Sequence, residues 1–308
     1  MQYVIAIILV LIVAFFALCI YCYRYAFKTS VKRQSKEHDV PPSPYKEKII
    51  DNINSLLIKP FESVETMSFD GLRLRGRYYE IGPDAPIAVI MHGYRSNYCR
   101  DGNGGFKICS EYGLNVLLPD QRAHGKSEGK TITFGVKERY DCLSWVNYIL
   151  NRFGKDTKII LVGLSMGAST VMMASDLAPQ NVKGIISDCG FSSPKEILTE
   201  VARQMHLPAK AAYFFTRLSA RVFGSFDPES SSATKSLKNT NIPTLFIHGE
   251  DDDYVPCHMS RLCFDACNSE KYILTVPKAS HGMSYYIDTK GYTDTVNKFL
   301  NNVLNYGM

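Results

Sequence analysis

The sequence predicts a mainly parallel, doubly wound α/β sheet preceded by one membrane-spanning helix. Three observations carry this prediction. Short aliphatic and β-branched runs alternate with helical patterns through the middle and end of the chain. Tyr3 to Tyr23 is an almost unbroken apolar run, long enough as a helix of about twenty residues to cross a ~30 Å hydrocarbon core. Ile159-Ile160-Leu161-Val162 reads as a buried strand that stops at Gly163 and passes into an Ala- and Met-rich helical segment.

In chain order, residues 1–26 are expected to form the anchor and residues 27–46 a tether, polar and charged, that ends in Pro41-Pro42-Ser43-Pro44. The globular domain is expected over 47–308. Ile49 to Ile58 has helical spacing. Val64 to Phe69 and Leu72 to Tyr79 flank Asp70-Gly71, a two-residue hairpin signal. Strands follow at Ile87–Met91, Val116–Asp120, Gly184–Asp188, Thr244–Gly249 and Lys271–Val276, with a helix over Val136–Arg152 that carries the single tryptophan, Trp145. The stretch from about 191 to 237 is too long for a plain crossover and has apolar helical patches. It is expected to form a helical cap over the C-terminal edge of the sheet.

The net charge of +5 is spread out, apart from Arg24, Lys28, Lys32, Arg33 and Lys36 just after the apolar run. With no basic stripe interleaved with aromatics, the chain is not expected to bind nucleic acid. The apolar run lacks a preceding Lys or Arg and a small-residue cleavage pattern, which favours a retained anchor over a cleaved signal. Cations only on its C-terminal flank predict an N-out, C-in topology with the domain in the cytoplasm. Two of the nine cysteines lie in the apolar run, leaving an odd seven in the domain, as suits a reducing compartment. There is no His-Glu-x-x-His and no clustered set of ligands, so no metal is expected. No Gly-x-Gly-x-x-Gly opens a helix after a strand, so no nucleotide cofactor is expected either.

Between strand and helix sits Gly163-Leu164-Ser165-Met166-Gly167, the nucleophile-elbow pattern. A serine there occupies a tight turn, which requires small neighbours. It also stands at a helix N-terminus, where free N–H groups favour developing negative charge.

Four further marks occur in order: His92-Gly93, Asp120-x-Arg122-x-x-Gly125-x-Ser127, His248-Gly249-x-x-Asp252-x-x-Val255-Pro256, and Ser280-His281-Gly282. With the elbow they make the chain, from Met67 to its C-terminus, resemble the α/β-hydrolase superfamily. The likeness is strongest to the monoacylglycerol-lipase-like and serine-aminopeptidase-like group, and to bacterial membrane-anchored hydrolases. One departure is Ala123, where the pattern more often has glycine.

The resemblance implies a Ser–His–Asp triad of Ser165, His281 and Asp252, and the physical roles agree. A serine hydroxyl needs a base within hydrogen-bond reach, and the base needs an acid that fixes its tautomer. Asp252 is flanked by Asp251 and Asp253; its spacing from His248-Gly249 favours it. The backbone N–H groups of Tyr94 and Met166 are expected to form the oxyanion hole, and Tyr94, Met166, Phe214 and Phe215 to line the pocket. His92, Asp120, Arg122 and His124 are expected to hold loops. The implied function is hydrolysis of a small ester or lipid-like substrate such as an acylglycerol or lysolipid. A peptidase or amidase, or a catalytically idle binding protein, would share the same fold.

Overall fold

The computed structural model describes residues 1–29, 34, 36–40 and 42–304; Lys32, Arg33 and Pro41 lie outside the described residues. The chain begins with α1 (Gln2–Ala26), the one helix among the described residues long and apolar enough to cross a membrane. Then come α2 (Lys46–Leu57), the hairpin β1 (Glu62–Met67) and β2 (Arg73–Tyr79), β3 (Ile87–Met91), α3 (Tyr98–Tyr112) and β4 (Asn115–Pro119). The middle of the chain supplies α4 (Glu138–Phe153), β5 (Ile159–Leu164), α5 (Met166–Ala174) and β6 (Val182–Asp188). It continues through α6 (Pro194–Gln204), α7 (Ala209–Phe223), α8 (Ala233–Leu237), β7 (Thr244–Gly249) and α9 (His258–Ala266). β8 (Lys271–Val276), α10 (Ser284–Ile287) and α11 (Thr289–Leu304) complete it.

The eight strands form one sheet in the order β1-β2-β4-β3-β5-β6-β7-β8. β1 and β2 pair antiparallel, β2 meets β4 antiparallel, and every later pairing is parallel. Burial follows this geometry. β3 and β4 lie between helical layers and are buried at every position, whereas β2 alternates. The order reverses between β3 and β5, so the connections leaving their C-terminal ends run to opposite sides and leave a crevice at the place where open α/β sheets bind ligands.

Helix α3 is not expected from its sequence, because Gly102, Gly104 and Gly105 all disfavour a helix. It forms nonetheless. Asn97 caps it by accepting from the N–H groups of Cys99 and Arg100, and the missing side chains let it lie close to Ile90 and Tyr285.

Two features of the N-terminal half and the insert differ from expectation. Residues 27–29, read as the start of a tether, are fastened to the domain. Phe27 is fully buried, with the rings of Phe134 and Phe226 at 5.8 and 5.2 Å, and its carbonyl accepts from Ile132 N at 2.8 Å. Thr29 N donates to Lys130 O at 3.1 Å. None of the insert residues lines the cavity at the serine turn. Instead α7 packs against α1, with Phe215 on Phe15 at 5.7 Å and Phe223 on Tyr23 at 5.9 Å between ring centroids. An apolar helix that long leaves a face to be covered, and the aromatic side of α7 covers part of it.

Phe27→Ala should destabilise the detergent-solubilised protein by about 3–5 kcal/mol, as for a fully buried aromatic. Thermal unfolding checks this. A change within about 0.5 kcal/mol, the range of free surface positions, would mean that the segment is a tether after all.

Candidate active site

The serine turn is built by two glycines. A Cβ on Gly163 would come within 2.3 Å of the Gly167 carbonyl, and one on Gly167 within 2.0 Å of Met91 O. No side chain fits at either position, and so strand β5 and helix α5 can touch. Ser165, held between them, adopts φ 56° and ψ −117°, a backbone conformation that costs a non-glycine residue about 1–3 kcal/mol. Its N–H donates to Asp188 O at 2.9 Å, tying the turn to the end of β6. The strain lifts the hydroxyl to the floor of a cavity of about 280 Å³, lined among others by Gly93, Tyr94, Tyr254, His281 and Tyr286.

His281, in the loop after β8, reaches Ser165 Oγ with Nε2 at 2.9 Å and Asp252 Oδ2 with Nδ1 at 2.7 Å. A carboxylate facing Nδ1 keeps the proton there, which leaves Nε2 as an acceptor for the serine hydroxyl. Asp252 is buried while Asp251 and Asp253 are exposed, so the structure brings only Asp252 to the histidine. Its Oδ1 accepts from the N–H groups of Tyr254 and Val255 at 3.0 and 2.8 Å, and its Oδ2 lies 3.2 Å from His248 Nε2. Burial alone would raise its pKa. Hydrogen bonds from His248 and His281 outweigh burial and hold the carboxyl well below the usual range. His248 is itself fixed through Ser260 Oγ and Val255 O.

The oxyanion-hole candidates flank the same cavity. Met166 is the first residue of α5, so its N–H is one of the N-terminal donors that a helix leaves unpaired. Its side chain is fully buried and does not line the cavity. Tyr94 follows β3 in a loop held at several points. Gly93 N donates to Asp101 Oδ2 at 2.7 Å, and Tyr94 OH donates to Ala26 O at 2.8 Å. His124 Nε2 accepts from Arg95 N at 3.0 Å. His92 accepts from Gln121 N and donates to Gly93 O. Burial lowers the pKa of His124 to about 3, so it stays a neutral rivet at all working pH values. Arg122 clamps Asp141 at 2.6 Å and Asp70 at 3.0 Å, and Asp120 accepts from Lys126 N. These groups hold loops, as expected from the sequence.

Phe214 and Phe215 are not brought to the cavity. Phe214 is 58% exposed, and Phe215 lies against Phe15 on α1, because the aromatic face of α7 is used by the N-terminal helix. In their place the structure supplies Tyr254, whose ring centre lies 5.1 Å from that of His281, with Met283 and Tyr286. Tyr254 falls between Asp252 and Val255, so its neighbourhood was legible. Met283 directly follows Gly282 of the last motif, whereas Tyr286 comes from α10, whose register only the fold reveals.

Two further groups border the site. Cys189, Asp252 and His281 have potential ligand atoms within 4.8 Å of one another. Asp252 and His281 are already bonded to each other, and burial pushes the Cys189 thiol far up, whereas a metal ligand must be a thiolate. Asp188, at the end of β6, is buried and accepts from Tyr292 OH at 3.0 Å on Oδ2, while no hydrogen-bond partner to Oδ1 occurs among the described residues. Burial raises its pKa to about 6.

Comparison with known proteins agrees with this architecture. A family model described as alpha/beta hydrolase fold matches residues 101–212. The uncharacterized protein YqkD of Bacillus subtilis is 29% identical over 257 residues, covering 79% of this chain and 83% of that protein. The lysophosphatidylserine lipase ABHD12 of Rattus norvegicus is 26% identical over 201 residues, 61% of this chain and 47% of its own length. Among solved structures, the Pyrococcus furiosus esterase Pf2001 superposes with a TM-score of 0.63 at 23% identity, covering 81% of this chain and 93% of its own. Est1E of Butyrivibrio proteoclasticus, with ferulic acid bound, gives 0.62 at 20% identity, covering 79% and 100%. The chain has the α/β-hydrolase fold.

Asp188 allows a test of which carboxylate matters. Its folded pKa lies above the unfolded value near 4, so the folded state holds its proton longer and stability falls as pH rises from about 4 through 6, by roughly 2–3 kcal/mol. Asp188→Asn can still accept from Tyr292 and should flatten that slope in thermal melts across this pH range. Its hydrolytic activity should stay within several-fold of the parent; an unchanged slope would mean that another group titrates there, and loss of activity by orders of magnitude would reverse the roles of Asp188 and Asp252.

Proposed function

We propose that the protein is a serine hydrolase that cleaves a carboxylic ester by way of Ser165, His281 and Asp252. One observation carries this reading: the unbroken relay from Ser165 Oγ to His281 Nε2 to Asp252 Oδ2, at 2.9 and 2.7 Å. Ser165 Oγ attacks the substrate carbonyl carbon as its proton passes to Nε2. Negative charge collects on the carbonyl oxygen, where the N–H groups of Met166 and Tyr94 receive it; one such donor is worth about 3 kcal/mol to the transition state. Collapse expels the alcohol, which takes the proton from Nε2. Water, activated by the same nitrogen, then releases the acid and regenerates the serine. Asp252, held ionised by its hydrogen bonds, stabilises the imidazolium that forms twice in the cycle.

A lipid-like ester is the substrate class we favour. α1 would keep the site at a membrane, and one relative is named a lysophosphatidylserine lipase. α1 is read as a single-pass anchor with the domain in the cytoplasm, on the strength of the cations that follow it, Arg24 and Lys28 foremost. All nine cysteines are free, as a reducing compartment would keep them.

In full-length protein, Ser165→Ala should abolish fluorophosphonate labelling and lower turnover of short p-nitrophenyl esters by several orders of magnitude. Asp252→Asn should lower turnover by about 10⁴-fold, whereas Asp251→Asn and Asp253→Asn should remain within several-fold. Undiminished turnover in the serine variant would remove the mechanism. The topology has its own check: protease outside cells with an opened envelope and sealed membrane should spare the domain until detergent is added. Digestion before detergent would place the domain on the outer side.

A further inference from the structure

Four of the large apolar side chains exposed outside α1 fall in one short stretch: Met205, Leu207, Phe214 and Val222. This stretch, the α6–α7 turn and α7 itself, is also the part of the domain that packs along α1. Tyr25 OH reaches Met205 Sδ, Phe15 meets Phe215, and Tyr23 meets Phe223. We propose that α7 and the α6–α7 turn are immersed in the lipid bilayer beside α1, so that the protein is held by a two-helix wedge rather than by a single stalk. The proposal rests on the reading of α1 as a membrane anchor, and not on the hydrolytic reading.

The argument is one of length. α1 is exposed throughout Gln2–Ala14, and its first ring contact with the domain is that of Phe15 with Phe215. The free part, Gln2–Ala14, rises only ~20 Å at ~1.5 Å per residue. A hydrocarbon core is ~30 Å thick, so about seven more residues, Phe15 to Tyr21, must be immersed to complete the span. Those are residues against which α7 lies. A helix packed on them is carried ~10 Å below the headgroups, the depth reached by amphipathic interfacial helices. α7 has the composition for it. Its sequence, AKAAYFFTRLSARVF, has no acidic residue, and Phe214 and Val222 face outward. Arg217 pairs with Asp227 and Glu229 and Arg221 with Asp227, just beyond the helix end, which leaves the exposed Lys210 as the cation that can reach back to an anionic headgroup. A second copy of the chain would be a poorer occupant, because this face is continuous with the bare surface of α1, which the bilayer must cover in any case.

The wedge also sets the level of the cavity. Tyr94, which lines it, is bonded to Ala26 at the last turn of α1. An amphiphile in the leaflet would therefore meet Ser165 with its ester at the headgroup boundary.

The single tryptophan, Trp145, is buried in the core and gives a constant background. Phe214→Trp, Ile5→Trp and Ile58→Trp each add one exposed reporter, the last at the far end of α2. The full chain is reconstituted in phosphatidylcholine–phosphatidylglycerol vesicles with or without dibrominated acyl chains. Bromine should remove about half of the added emission of Ile5→Trp and Phe214→Trp and none of that of Ile58→Trp. If Ile5→Trp is quenched while Phe214→Trp behaves like Ile58→Trp, the anchor stands and the wedge is wrong. If Ile5→Trp also escapes quenching, the anchor reading falls and the wedge with it. Neither result depends on activity, so the hydrolytic reading is judged separately.

Discussion

Strand β5 and helix α5 meet at a contact that leaves no room for a Cβ on Gly163 or Gly167, and the site is built outward from that contact. It forces the strained backbone of Ser165, it sets the first N–H groups of α5 beside the hydroxyl, and it requires β3 to lie alongside, since Met91 O is what a side chain on Gly167 would strike. The cost of the strain is small beside the burial of β5 and α5, which are enclosed along nearly their whole length. A turn of this kind can be kept only by a core that over-determines it.

The loops around the turn are fixed by buried polar groups rather than by packing alone. His92 and His124 each use both ring nitrogens on backbone groups of the β3 and β4 loops. Arg122 binds two carboxylates, and Asp252 is saturated by two backbone N–H groups before it meets His281. Every such group is costly to bury unpaired, so each permits only one loop arrangement. Asp252, His281 and Ser165 thereby stand within hydrogen-bond reach of one another.

Much of this was legible in the sequence. β3 and β7 and β8 are short apolar or alternating runs closed by turn residues, and the structure bounds them where the pattern does. The five motifs were legible because their chemistry tolerates few residue types. Two things were not. The glycine-rich α3 contradicts its own propensity and is rescued by a cap and by close packing that no local pattern reports. The fate of the aromatic face of α7 was also hidden, since an amphipathic helix says that it has a partner and not which one; Phe214 and Phe215 went to the side of α1 rather than to the cavity.

Phe27 carries a consequence beyond stability. The chain leaves α1 straight into the interior: Tyr94 is bonded to Ala26, Arg95 to Tyr25, and Phe27 fills a space between Phe134 and Phe226. The residue that follows α1 is thus a core residue of the domain, and the end of the helix holds Tyr94, which lines the cavity. A protease that severed the chain after Ala26 would leave the Tyr94 hydroxyl without the carbonyl that holds it, and would so loosen one residue of the cavity's lining.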